Sequence, residues 1–141
     1  MMISTRGRYA LRVMIDLAKH SENGYTAMKE VAERQDISLK YLEKILPLLV
    51  KENMIEGVHG KGGGYKLTKA PSAYRVSDIL RLTEGDLAPV ACLECNAEPC
   101  NLTGVCPTLP MWKELNNRIN DYLDSVTLED LMHNPSQELL Q

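Results

Sequence analysis

All four cysteines of the chain fall between residues 92 and 106, in the stretch CLECNAEPCNLTGVC. Their spacing is C-x2-C-x4-C-x5-C. Cys92, Cys95, Cys100 and Cys106 are near enough in sequence to converge on one centre, and four thiolates are the ligand set of both iron–sulfur clusters and zinc. Glu94 and Glu98 disfavour bare thiolates beside them, whereas a bound cation favours them. The pattern also lies close to a zinc knuckle, with one extra residue before the last cysteine. Spacing alone leaves cluster and zinc level. Disulfides, and four thiols with no ligand, are the weaker alternatives.

Compartment bears on that choice. No apolar run approaches the roughly 20 residues of a membrane span. The first residues, MMISTRGRYALRVM, lack the apolar core and cleavage site of a signal peptide. A cytoplasmic protein is expected, and there clustered cysteines serve metal or redox chemistry more than structural disulfides.

The elements that must position these cysteines can be read from caps and apolar spacing. Ser4 or Thr5 can open a first helix, with Ala10, Val13, Met14, Leu17 and Ala18 on one stripe. Thr26 can cap a short second helix and Ser38 a third, in which Leu39, Leu42, Ile45, Leu46 and Leu49 face inward. Pro47 should kink or break that third helix. MIEGV and YKLT, flanking the glycine-rich HGKGGG, read as a hairpin. VSDILRLTEG reads as a short helix stopped by Gly85. Pro89, Pro99 and Pro107 deny the cysteine segment regular structure. A long helix then starts near Thr108 or Leu109, and Thr127 with Asp130 can box the start of a last short helix.

Three helices followed by a hairpin form a winged helix–turn–helix. The expected fold is therefore mainly α with a small β-hairpin, plus a long C-terminal dimerisation helix. The expected organisation is a DNA-binding domain over 1–70, a linker helix over 71–88 and a cluster or metal loop over 89–107. The dimerisation helix and the short helix then occupy 108–134, with a tail over 135–141. Charge agrees with that division. Residues 1–70 carry 12 Lys+Arg against 8 Asp+Glu, and residues 71–141 carry 4 against 11, so only the front half suits a polyanion.

In such a module the third helix enters the major groove. Lys40 and Lys44 can donate to guanine or phosphate, and Glu43 can accept from a cytosine amino group. Ser38 and Tyr41 suit phosphate. The wing offers His59, Gly60 and Lys61 to a minor groove, while Thr5 and Arg6, with Arg8, can fix register on the backbone. In the long helix Trp112, Leu115, Ile119, Tyr122 and Val126 recur at three and four residues, a two-heptad seam suited to a second copy. Packing on the helix's own domain is the alternative reading of that seam. A dimer's two recognition helices would read half-sites about one turn of DNA apart.

ISTRGRYALRVMIDLA, ISLKYLEKIL, VHGKGGGYKL and SVTLEDL resemble the Rrf-type winged-helix regulators over nearly the whole chain. This family includes iron–sulfur, nitric-oxide and cysteine-metabolism regulators. The resemblance implies a homodimeric transcription factor on a palindromic double-stranded operator, with the helix near 109–125 as dimer interface. Tyr41 and Glu43 match the family's recognition helix, and Gly60, Gly62, Gly63, Gly64 and Tyr65 its wing. Lys40 and His59 depart from the small polar residue and the Arg that its iron–sulfur members often carry. Cys100 and Cys106 match the second and third cysteine ligands of the sensor members. The first would fall at Glu94, between Cys92 and Cys95, so either can serve. The histidine that follows the last cysteine in some members is replaced by Leu109, and no acid precedes Asp16. The resemblance thus implies an all-cysteine iron–sulfur site, 2Fe-2S or 4Fe-4S, with cluster state altering operator affinity. A winged-helix repressor with structural zinc, or with cluster-free sensing thiols, is the alternative. An enzyme is not expected: HGKGGGYK matches neither phosphate-loop nor dinucleotide spacing, and His20, His59 and His133 form no triad pattern.

Overall fold

Ser4 opens the first helix as expected. Its hydroxyl accepts from the Gly7 amide at 3.2 Å, satisfying one of the amides left unpaired at a helix start. The computed structural model describes residues 2–95, 97–98, 100–102 and 104–133. Its helices are α1 (Thr5–Lys19), α2 (Met28–Gln35), α3 (Leu39–Lys51), α4 (Val76–Glu84), α5 (Leu109–Ser125) and α6 (Leu128–Met132). Strands β1 (Ile55–Val58) and β2 (Gly64–Leu67) pair antiparallel, Ile55 opposite Leu67 and Val58 opposite Gly64. The expected tail, 135–141, lies outside the described residues.

One core joins most of these elements. Ala10, Val13, Met14 and Leu17 of α1 meet Val31 of α2, Leu42, Ile45 and Leu49 of α3, and Ile55 of β1. Ile79 of α4 and Leu128 of α6 are buried in the same cluster. The chain therefore returns after α5 to place α6 against α1. Thr127 and Asp130 form the expected reciprocal capping box at its start. A smaller cluster of Val76, Leu80 and Leu87 lies beside the first.

Four local expectations need correction. α3 runs unbroken through Pro47 to Lys51. Pro47 and Glu43, whose carbonyl loses its donor, both face solvent, so water can replace the missing bond. Leu39 is 45% exposed, because the first helical position precedes the buried stripe that begins at Leu42. Thr26 does not cap α2, whose N-cap is Ala27. Its backbone is committed to the wing: the Thr26 amide donates to Tyr65 O and the Tyr65 amide to Thr26 O, both at 2.8 Å. Val126 lies just past α5 and packs on the Val76–Leu80–Leu87 cluster, while its carbonyl accepts from the Val76 amide at 2.8 Å. Val126 is thus packed within its own chain rather than presented on the helix seam.

Candidate nucleic-acid interface and cysteine site

The recognition helix is fixed from three sides. Ser38 caps it, its hydroxyl accepting from the Tyr41 amide at 3.1 Å. Leu42, Ile45 and Leu49 bury one face, which leaves Lys40, Glu43 and Lys44 exposed on the other. Tyr41 is half-buried, edge-on to Tyr9 of α1 with ring centroids 5.3 Å apart. The Arg12 guanidinium lies 5.2 Å from the Tyr9 ring and also donates to Gln35 at the end of α2. Ser4, Thr5 and Arg6 share an open cleft of about 410 Å³ with Tyr41 and Lys44. The start of α1 and the start of α3 thus form one basic edge.

The wing packs against the start of α2, through Thr26, and beside Val50 near the end of α3. His59, Gly60 and Lys61 are exposed at its tip. Gly64 has φ +150°, and a Cβ there would run into the Thr26 carbonyl, so only glycine lets β2 approach the start of α2 this closely. At its base the buried Tyr74 hydroxyl donates to Met54 O at 2.6 Å and accepts from the Thr68 and Lys69 amides. The hairpin is pinned at both ends.

A buried polar group that sequence reading missed joins α1 to α2. Asp16 accepts two bonds from Arg34, at 3.0 and 2.7 Å, and one from Gln35 at 2.9 Å. Burial pushes its carboxyl up, but the Arg34 and Gln35 hydrogen bonds outweigh this and hold it below the usual carboxylate range. The one available signal was a charge set inside the apolar stripe of α1.

The cysteines divide. Cys92, Cys100 and Cys106 line a hollow of about 100 Å³ with Leu93, Leu109 and Lys113. Cys95 is not among the residues lining it. The Cys95 amide instead donates to Asp86 Oδ2 at 2.7 Å, while Asp86 Oδ1 accepts from the Ala88 amide at 2.8 Å. Asp86 also raises the Cys95 thiol above its ordinary value, through its hydrogen bond and its charge. Cys106 goes the other way: hydrogen bonds from Thr108, side chain first and then backbone, favour its thiolate. The Cys106 sulfur is 3.4 Å from Thr108 Oγ1, just before α5.

The donor set suits a soft metal centre. Three cysteines line one small space, and Lys113 beside them would offset the negative charge of a thiolate-bound centre. Among the described residues no three His, Cys, Asp or Glu side chains converge closely enough to hold a metal ion, so binding would require the loop to draw in.

α5, which follows this loop, has no buried residue among the described ones. Met111 is 53% exposed, Leu115 39% and Tyr122 62%, while Trp112 and Ile119 are half-buried. Arg81 of α4 holds α5 through Asp124 at 3.2 Å and Asn120 at 2.7 Å. Among the described residues no helix is long and apolar enough to cross a membrane.

A helix–turn–helix with a pinned wing and a basic edge defines a winged-helix DNA-binding regulator of transcription. Residues 3–134 match the Rrf2 family model, described as an iron-dependent transcriptional regulator, and the chain belongs to that family. It is 36% identical to the HTH-type transcriptional regulator IscR of Erwinia tasmaniensis over 140 residues, 99% of this chain and 82% of that protein. CymR, the global cysteine regulator of B. subtilis, superposes with a TM-score of 0.77 at 35% identity, over 94% of this chain and 96% of that one. T. potens IscR superposes with a TM-score of 0.73 at 33% identity, over 94% and 86%. The relatives are named as transcriptional regulators rather than enzymes, as the sequence led us to expect.

Proposed function

We propose that this chain is a cytoplasmic homodimer that binds a palindromic operator and adjusts its affinity to the state of a cysteine-held iron–sulfur centre. The observation that carries this reading is the hollow shared by Cys92, Cys100 and Cys106 at the foot of α5. It lies between the helix that ends the DNA-reading core and the helix whose apolar face lacks burial within the protomer.

In this reading Lys40, Glu43 and Lys44 meet base edges, and Ser38, Tyr41, Thr5 and Arg6 meet phosphate. His59, Gly60 and Lys61 follow the backbone into a minor groove. Met111, Leu115, Ile119 and Tyr122, with Trp112, cover one another across the dimer. Cys92, Cys100 and Cys106 are the ligands, with Cys95 the fourth if the loop closes. A bound cluster would supply sensitivity to oxidants and to iron supply. The protein's own contribution is mechanical: α5 carries the loop's conformation to the separation of the two recognition helices.

Anaerobic purification with a visible spectrum and analysis of iron, sulfide and zinc tests the centre. Visible absorption with iron and sulfide in equal amounts is expected; colourless protein with one zinc per chain would sink the cluster. Operator titration with and without the centre tests the sensing, and equal affinity would remove it. A second reading, direct thiol sensing, is favoured by the exposure of Cys92, Cys95 and Cys100 and the Thr108 hydroxyl 3.4 Å from the Cys106 sulfur, and by the similarity to CymR. It predicts reversible oxidation with no iron.

A further inference from the structure

The turn between α4 and the cysteine loop carries two carboxylates, and each holds a different part of the molecule. Glu84 Oε1 accepts from the Ser4 amide at 3.1 Å and from the Ser4 hydroxyl at 2.5 Å. Ser4 is the cap of α1, and Thr5 and Arg6 follow it directly. Gly7 permits this docking, because a Cβ there would strike the Glu84 carboxylate. Two residues later, Asp86 holds the cysteine loop by the Ala88 and Cys95 amides. Between them Gly85 has φ +82°, which sets the two carboxylates in a fixed turn. Met2 and Ile3 share a hollow of about 250 Å³ with Glu84, Asp86, Pro89 and Val90, so the start of the chain and the start of the loop also lie side by side.

We infer that Glu84 and Asp86 are positioning residues that couple the cysteine loop directly to the phosphate-facing start of α1. This is a route within one protomer, separate from any change in dimer spacing. It rests on the reading of the cysteine loop as the sensing element. A loop that draws in on its ligands pulls on the Cys95 amide, and hence on Asp86. The short turn passes that displacement to Glu84 and the α1 cap. The start of α1 faces Tyr41 and Lys44 across the open cleft, so its movement changes the backbone contacts beside the recognition helix.

The coupling can be tested in the full-length protein by hydrogen exchange of peptides covering residues 2–10 and 86–98, in wild type, Glu84→Ala and Asp86→Ala. With the cysteines reduced and metal removed, each substitution should speed exchange several-fold at both peptides. A change confined to the substituted end overturns the coupling, whatever the cysteines bind. Circular dichroism melts on the same samples identify a variant that has merely unfolded, and Glu84→Gln, which keeps an acceptor for Ser4, should restore most protection. The second arm is operator titration after anaerobic treatment with ferrous iron and sulfide, against chelator-treated protein. Wild type should differ between the two states, and Asp86→Ala should lose most of that difference. No difference in wild type sinks the sensing proposal alone. An undiminished difference in Asp86→Ala sinks the coupling alone.

Discussion

The winged module and the segment from Cys92 through α5 use their apolar residues in opposite ways. In the module, α1 and α3 bury a full stripe each, and even the distant Leu128 is enclosed. In the second region α5 buries nothing completely, and Leu102, Val105 and Met111 lie 57%, 75% and 53% exposed. The first region encloses its own apolar residues. The second leaves apolar side chains uncovered, which the proposed ligand in the loop and the proposed second copy along the helix would engage. A regulator requires this asymmetry: the reading head must keep its shape while the sensing part has more than one arrangement.

Substitutions can break or sharpen that contrast. The largest effect is expected for Leu128→Ala, which opens a cavity in the module's core from a residue more than fifty positions beyond the wing. A loss of about 2–5 kcal/mol in urea unfolding is expected; a loss near zero would return α6 to the second region. Asp16→Asn should cost roughly 1.5–3 kcal/mol, since it weakens hydrogen bonds from a charged donor and leaves Arg34 without its counter-charge. The pH dependence follows from sign. Asp16 is held below its ordinary value in the folded protein, so its contribution is full above the unfolded carboxylate range near 3.9 and is lost as pH falls through the lower folded value. Stability of wild type and Asp16→Asn should therefore converge in acid, followed by urea midpoints between pH 7 and 3.

Lys40→Ala is expected to weaken operator binding about tenfold without moving the urea midpoint; an unchanged affinity would remove Lys40 from the base-reading set. Paired Leu115→Glu and Tyr122→Glu changes should yield a monomer in sedimentation while helix content is kept. The smallest effect is expected for Cys95→Ser. That residue is exposed and held by its amide, so the unfolding free energy should shift by less than about 0.5 kcal/mol, against a clear loss of any visible absorption in Cys106→Ser.

The two regions also differed in how far sequence reading could reach. Ser4, Ser38 and the Thr127–Asp130 box are local signals, and each cap falls where its hydroxyl and spacing require. The failures are long-range. Thr26 had a capping residue's chemistry, but its backbone was claimed by Tyr65, nearly forty positions away. Pro47 both removes a donor and crowds the Glu43 carbonyl, and the helix tolerates it on a face that water reaches. Asp16 meets Arg34 and Gln35 from another helix, at no fixed spacing. The cysteines show the same limit: their intervals admitted Cys92 and Cys95 equally, while Asp86 draws only Cys95 aside.

The two hydrogen bonds between Thr26 and Tyr65 have a consequence for the operator. They lock the wing to the helix that precedes the recognition helix, and Gly64 makes the joint too close to slide. Under the proposed function, wing and recognition helix would therefore grip DNA as a single rigid jaw, with major-groove and minor-groove reach set in one fixed proportion. In the proposed dimer two such units would differ between states in separation and tilt, while the start of α1, held by Glu84, lies outside this joint. An operator lengthened by one base pair should therefore change the preference between states through spacing, while altered backbone contacts at the start of α1 should act at any spacing.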